Sequence, residues 1–287
     1  MQHLFSPNRI VLATDFSSAS TSAAHIASRV ARIFQVPVTI LHIFQYVPRH
    51  QYTFPVEWMV KIIRDDVNSK LVETKEIFDR AGIDAEVMVR DDGNPAQEIL
   101  AFLRGFKAPL LVMGTHATAG MDRFILGSTA EEALRQAPCP VITVGPQVIS
   151  ESDALFRRIL FATDFGQASL QAAPFAATIA RISGAALRVL HVTTDPTRTA
   201  AQCDSLFDPI RNIFREHGSE TCTNSTEYIV LHGGVVSQAI VNEAERYPAD
   251  LIALGVHRAS AFTAHAGPKL AFQTIAAAPC SVLTIAS

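Results

Sequence analysis

The chain has 287 residues, 48% of them hydrophobic and 18% charged, with a formal net charge of -3. That is enough apolar material for sizeable cores, and the near-neutral balance without a Lys/Arg stripe argues against a nucleic-acid-binding surface. No apolar run approaches the roughly 18 residues that cross a bilayer, the first residues lack the basic and apolar regions of a signal peptide, and four irregularly spaced cysteines make no disulfide framework, so the expectation is a cytoplasmic protein with neither membrane nor nucleic-acid partner.

Residues 10–14 form a short apolar run with β-branched side chains and read as a strand, after which Asp15, Ser17 and Ser18 offer helix N-caps. From 19 to 34 the positions Ala23, Ile26, Ala27, Val30, Ile33 and Phe34 recur at spacings of three and four, one face of a helix. Residues 38–44 read as a buried strand. Residues 55–81 read as a helix whose stripe is Val56, Met59, Val60, Ile63, Val67 and Leu71. A third strand is expected over 85–89. Asn94-Pro95 then opens a helix carrying Ile99, Leu100 and Leu103, with Asn as cap and Pro in the first position, where its missing N–H costs nothing. Residues 109–113 read as a strand, 128–136 as a helix and 141–144 as a fifth strand.

The chain then repeats itself. Arg9-Ile10-Val11-Leu12-Ala13-Thr14-Asp15-Phe16 returns as Arg158-Ile159-Leu160-Phe161-Ala162-Thr163-Asp164-Phe165, 149 residues later, and Leu41-His42 returns as Leu190-His191. Near the end of each copy the offset is 141: Gly93 and Gly234, Gly114 and Gly255, His116 and His257, Pro138-Cys139 and Pro279-Cys280. The difference must be absorbed between His42 and Gly93, where a loop and an exposed helix tolerate it. Strands of the second copy are expected near 158–163, 186–191, 226–231, 250–254 and 281–285. Apolar strands alternating with helices imply parallel sheets covered on both faces. The polar joint over 145–155 divides the chain into domains 1–147 and 148–287.

Ligands of open parallel sheets bind beyond the carboxyl ends of strands, where strand order reverses. Two turns of the first copy are placed to lie there. One is Ala13-Thr14-Asp15; the other runs from Met113-Gly114-Thr115-His116-Ala117 through Gly120 to Gly127-Ser128-Thr129. Glycines let this second backbone bend or approach a ligand, and Gly-Ser-Thr opens a helix whose free N–H groups and positive dipole end favour an anion such as phosphate. It is neither a Walker A loop nor the short dinucleotide fingerprint.

Strand-one Asp with Phe-Ser, Leu-His closing strand two, Gly-Asn-Pro, Met-Gly-Thr-His, Leu-Gly-Ser-Thr-Ala-Glu and Ala-Pro-Cys-Pro-Val together resemble the universal stress protein family, across both copies. The resemblance implies two flavodoxin-like (Rossmann-like) five-stranded α/β domains in tandem, related by a pseudo-two-fold axis. One branch of that family binds ATP through Gly-x2-Gly-x9-Gly-Ser/Thr. Carried onto this chain, Gly114 is the first glycine, Ala117 stands in place of the second, and Gly127-Ser128 complete the pattern, with Gly120 an added point of flexibility. By the same resemblance Asp15 faces the adenosine, Ile43 lines the adenine pocket and Met113 closes it, with magnesium as a companion of the nucleotide.

In the second copy Pro268-Lys269 replaces Gly127-Ser128 and Arg258 takes the second-glycine position. Proline removes an N–H where a phosphate needs one. The reading is therefore a cytoplasmic stress-response protein that binds ATP or a similar nucleotide in domain one, with domain two a degenerate partner. The alternative is an interaction module of the stress response that binds no nucleotide. An enzyme is the weakest reading, limited to slow ATP hydrolysis, since no acid, base or nucleophile constellation stands out. His42 and His191 read as hydrogen-bonded core or cleft residues, Cys139 and Cys280 as small buried residues, and Asp91-Asp92 as a solvated turn. No histidine spacing supports a metal site. The fifth strands, last in each copy, are expected at sheet edges, where exposed apolar backbone invites pairing. The family resemblance implies the same, predicting that 141–144 and 282–285 meet antiparallel across the pseudo-two-fold axis. Association of whole chains as a homodimer is left open by the sequence.

Overall fold

β1 (Arg9–Ala13), α1 (Ser18–Phe34), β2 (Val38–Phe44), α2 (Val56–Arg80), β3 (Ala85–Asp91), α3 (Pro95–Leu103), β4 (Pro109–Gly114), α4 (Ser128–Gln136) and β5 (Val141–Val144) follow one another in the first half. The second half contains β6 (Arg158–Ala162), α5 (Gln167–Ser183), β7 (Ala186–Thr193), α6 (Ala200–Leu206), α7 (Asp208–His217), β8 (Glu227–His232), α8 (Val236–Arg246), β9 (Leu251–Val256), α9 (Lys269–Ala277) and β10 (Ser281–Ala286). The computed structural model describes residues 6–44, 56–91, 93–115, 126–145, 147–148, 156–193, 195, 200–218, 225–256 and 269–286.

Local chemistry sets the element ends. α1 stops where Gln35 turns left-handed at φ 54° and returns its N–H to the Ala31 carbonyl. α3 starts at Asn94, whose side chain accepts from Gln97 N at 3.2 Å, with Pro95 at the first position. The length difference between the copies lies where expected: the single 25-residue α2 is matched in the second half by the shorter α6 and α7.

All described strands join one sheet in the order β3-β2-β1-β4-β5-β10-β9-β6-β7-β8. Every pairing is parallel except β5 with β10, which is antiparallel. Its register, Thr143 with Val282, Ile142 with Leu283 and Val141 with Thr284, is symmetric about the Ile142–Leu283 pair. The hydroxyls obey the same symmetry: Thr143 donates to the Val282 carbonyl at 3.2 Å and Thr284 to the Val141 carbonyl at 3.3 Å. The two fifth strands thus meet antiparallel inside one chain, and each covers the other's edge. Alternate residues of each strand feed one of two cores, Ile10, Leu12, Ile142 and Leu283 on the α1/α5 face and Val11, Ala13, Val141 and Val282 on the other. Both cores run through both halves. No described helix is long and apolar enough to cross a membrane.

Candidate functional site

In the first half β1 lies between β2 and β4, so the chain leaving β1 and the chain leaving β4 run to opposite sides and a crevice opens between their carboxyl ends. A cleft of about 470 Å³ occupies it. Its walls include Ala13, Thr14, Asp15, Ile43, Met113, Gly114, Gly127, Ser128 and Thr129, gathered from four separate segments. Ser20, His42, Phe44, Ile63, Val67 and Ile99 are among the other residues that line it.

The floor is a rigid turn. Asp15 does not itself cap α1; Ser17 does, accepting from Ser20 N at 3.2 Å. Asp15 Oδ1 instead accepts from Ser17 N at 3.0 Å and from the Ser17 and Ser20 hydroxyls at 2.6 Å each. Between them Phe16 sits at φ 64°, a left-handed conformation that costs a side-chain-bearing residue about 1–2 kcal/mol. Thr14 Oγ1, accepting from Phe16 N, and the His42 ring, 4.5 Å from the Phe16 ring, hold it there. His42 Nδ1 lies 2.9 Å from the Thr14 carbonyl. A carbonyl only accepts, so Nδ1 carries a proton and donates it to this bond.

The opposite wall is the start of α4. Gly127 is the N-cap at φ -59° and ψ 145° and supplies no side-chain cap bond. The first N–H groups of a helix have no intrahelical partner, so those beside Ser128 and Thr129 are left as donors at the cleft, with the helix dipole behind them.

Gly114 has a role beyond ligand approach. A Cβ there would lie 2.5 Å from Ser20 N and 2.6 Å from the Ala19 carbonyl carbon, so the missing side chain lets β4 press against the first turn of α1. Thr115, expected at the site, is not among the cleft walls: it is 1% exposed, and its N–H and hydroxyl both donate to the Val144 carbonyl. It fastens the end of β4 to β5. His116, Ala117 and Gly120 lie outside the described residues, as do His257, Arg258, Pro268 and most of the 145–155 joint.

The second half rebuilds the same floor. Asp164 Oδ1 accepts from Gly166 N at 2.8 Å and from the Ser169 hydroxyl at 2.7 Å, and Phe165 sits at φ 62°. His191 Nδ1 lies 2.9 Å from the Thr163 carbonyl, its ring 4.5 Å from Phe165. A Cβ on Gly255 would come within 2.2 Å of the Ala168 carbonyl carbon. These shared features build the β-strand-to-helix corner. What differs is the wall: Ile43-Phe44 corresponds to Val192-Thr193, and Asn94-Pro95 to Val235-Val236.

A model of the family described as universal stress protein family matches residues 7–145 and again 155–286. This chain belongs to the universal stress protein family. A universal stress protein of Methanocaldococcus jannaschii is 30% identical over 138 residues, 47% of this chain and 81% of that protein. One from Thermus aquaticus is 29% identical over 135 residues, 47% of this chain and 96% of its own length. The crystal structure of a universal stress protein from Archaeoglobus fulgidus superimposes with a TM-score of 0.75 at 20% identity, covering 98% of this chain and 99% of that one. The fold of that protein is therefore shared over nearly the whole of both chains.

Other candidate groups of this universal stress protein have structural partners. Asp91 pairs with Arg64 at 2.9 Å, both exposed, and Arg64 in turn lies over the Phe44 ring. Cys280 is buried, which pushes its thiol pKa up to about 12 and keeps it protonated; Cys139 is half-buried. Among the described residues no cluster of three or more His, Cys, Asp or Glu is arranged to hold a metal ion.

Proposed function

We propose that the half spanning 1–147 binds ATP or a similar nucleotide in this cleft, and that the half spanning 148–287 is a degenerate partner, the whole acting as a stress-response protein in the cytoplasm. The observation that carries the reading is the convergence of Asp15, Ile43, Met113 and the Gly127-Ser128-Thr129 helix start on one cleft of about 470 Å³, a volume within the range of small-molecule sites. The α4 N-terminus receives the phosphates on its free N–H groups and the two hydroxyls. Ile43, Val67, Ile99 and Met113 provide apolar walls for the base. Asp15 holds the ribose side with whatever acceptor capacity Ser17 and Ser20 leave it. Magnesium, where it accompanies the nucleotide, is held chiefly by phosphate oxygens.

A second reading has one observation in its favour. The Asp15 network and the Gly114 packing recur around Asp164 and Gly255, which marks them as parts of the fold and leaves an interaction module without nucleotide as the alternative. Ser128→Pro separates the two. Proline is tolerated at a first helical position, and Gly127 already has the extended geometry that a following proline demands. The variant therefore loses one N–H and one hydroxyl at the cleft while α4 stays intact. Under the first reading ATP raises the melting temperature of the wild type and not of the variant; under the second it raises neither.

A further inference from the structure

α2 is held down by its second part. Val67, Leu71 and Phe78 are buried in the core on the α1/α5 face, whereas Lys61 through Asp66 are all exposed and Val60 is half-buried. An amphipathic helix lays its apolar stripe on whatever it covers. Here the stripe runs back from Phe78 through Leu71 and Val67 to Ile63, and its last member passes beyond the core. Ile63 is 39% exposed and, with Val67, forms part of the cleft wall. Arg64 ties this first stretch to the sheet. Its guanidinium pairs with Asp91, the last residue of β3, at 2.9 Å and lies 5.1 Å from the ring centre of Phe44, itself a wall residue. Both members of the ion pair are exposed, and exposed pairs hold weakly.

The second half treats the same region differently. There the helix is broken into α6 and α7, and Phe207 at the break is 1% exposed, its ring 5.1 Å from Phe165 and 5.2 Å from Tyr228. Phe165 is the counterpart of Phe16, so an aromatic ring from this region is packed down onto the strand-to-helix corner. In the first half α2 instead sets the Lys70 ammonium 6.0 Å from the Phe16 ring and leaves an apolar side chain standing over an open cleft.

We propose that the first part of α2 is a hinged wall of the nucleotide site, closing about Val67 so that Ile63 meets the bound base, with Arg64 as a positioning residue whose pairing with Asp91 holds the wall in place. The inference rests on the nucleotide reading above. An apolar side chain kept in water over a cleft is buried only when the cleft is filled, and a weak latch lets the wall open for entry and release.

The test follows the intact chain by hydrogen exchange and by release of radiolabelled ATP on chase with unlabelled nucleotide. Without nucleotide, the amides of 60–66 should exchange faster than those of 71–79, and Arg64→Met should speed the first set alone. ATP should slow exchange over 60–66. Arg64→Met and Asp91→Asn should each speed ATP release roughly threefold to fivefold, and the double variant should do no more than either. Ile63→Ala should speed release as well. Lys75→Ala, which breaks an exposed pair with Asp79 near the other end of α2, should not. Asp91→Asn separates positioning from direct contact: were Arg64 itself a phosphate ligand, releasing it from Asp91 would slow the loss of ATP, and that result overturns the proposal. So does ATP binding that leaves exchange over 60–66 unchanged, or a double variant whose effect is the product of the single ones. Equal protection of both parts of α2 without nucleotide removes the hinge whatever the ligand. A wild type that binds no ATP overturns the nucleotide reading and the closure with it, whereas the other adverse results, obtained with ATP bound, overturn the closure alone.

Discussion

Replacing Gly114 by alanine separates packing from ligand binding at the cleft. The added Cβ would lie 2.5 Å from Ser20 N and 2.6 Å from the Ala19 carbonyl carbon, both backbone atoms of the first turn of α1 that no side-chain rotation can move aside. Either β4 or α1 must shift by most of an ångström. α1 starts on the Asp15–Ser17–Ser20 hydrogen bonds, so the shift also strains that turn. Overpacking of this kind costs about 1–3 kcal/mol, and we expect about 2–3 kcal/mol for Gly114→Ala. Gly255→Ala, with its Cβ 2.2 Å from the Ala168 carbonyl carbon, should cost at least as much. Urea unfolding of both variants against wild type measures the difference, read as a shift in midpoint at constant slope. If Gly114→Ala stayed within about 0.5 kcal/mol of wild type, the close approach would not govern this glycine and ligand contact would have to explain it.

Other perturbations test separate parts of the structure. Ile142→Lys buries an unpaired ammonium at the centre of the β5–β10 seam, where Ile142 is 0% exposed; it should separate the halves or expose apolar dye-binding surface while far-UV dichroism is retained, and unchanged dye binding with wild-type stability would contradict the seam. Thr143→Val and Thr284→Val should each cost about 1 kcal/mol, and equally, because their hydroxyls make equivalent bonds across the axis. Arg188→Met leaves the nearly buried Glu243 without its closest cation and should cost about 3 kcal/mol in thermal or urea unfolding, whereas adding Glu243→Leu should recover much of it. Cys280, with its thiol pKa raised to about 12 from 9.0, should resist alkylation of the native protein far longer than Cys139. The same shift has a pH sign: above pH 9 the unfolded thiol ionises and the native one does not, so its contribution makes stability fall as pH rises through that range.

Sequence periodicity located the elements well where one residue class dominates. The expected bounds of β2, α4 and β5 coincide with the observed ones: the strands are largely apolar and β-branched, and α4 is set between Gly127 and the Ala137-Pro138 step. α2 shows the limit. Val67 and Leu71 are buried as its stripe requires, but Ile63 is 39% exposed because that part of the helix overhangs the open cleft instead of a core. The cleft itself was legible at the ends of β1, β2 and β4 and at the α4 start, where glycines and hydroxyls cluster in sequence. Ser20, Val67 and Ile99 were not placed there, since they come from three helices and only the packed fold brings them together. The recurrence of Ser20 as Ser169 was a usable signal, because each donates its hydroxyl to the strand-one aspartate of its own copy. Thr115 shows the converse: it is adjacent in sequence to cleft residues, yet its hydroxyl donates to the Val144 carbonyl of β5.

A further long-range relation is invisible to periodicity. In the first half Arg9 pairs with Glu86 and lies over the Phe106 ring; in the second the cation has moved one strand over, to Arg188, which pairs with Glu227 and lies over Tyr247. Glu86 and Glu227 correspond, as do Phe106 and Tyr247, while Thr39 stands where Arg188 does. The same knot of charge and ring is kept at the amino ends of the strands with its cation supplied from a different position.

The most direct test of the nucleotide reading is calorimetric titration of the nucleotide-free chain with ATP. The account predicts one site per chain, lost in Ser128→Pro and retained when Lys269 is replaced by alanine. Two equivalent sites per chain, or no binding heat at several temperatures together with no nucleotide carried through purification, would contradict it.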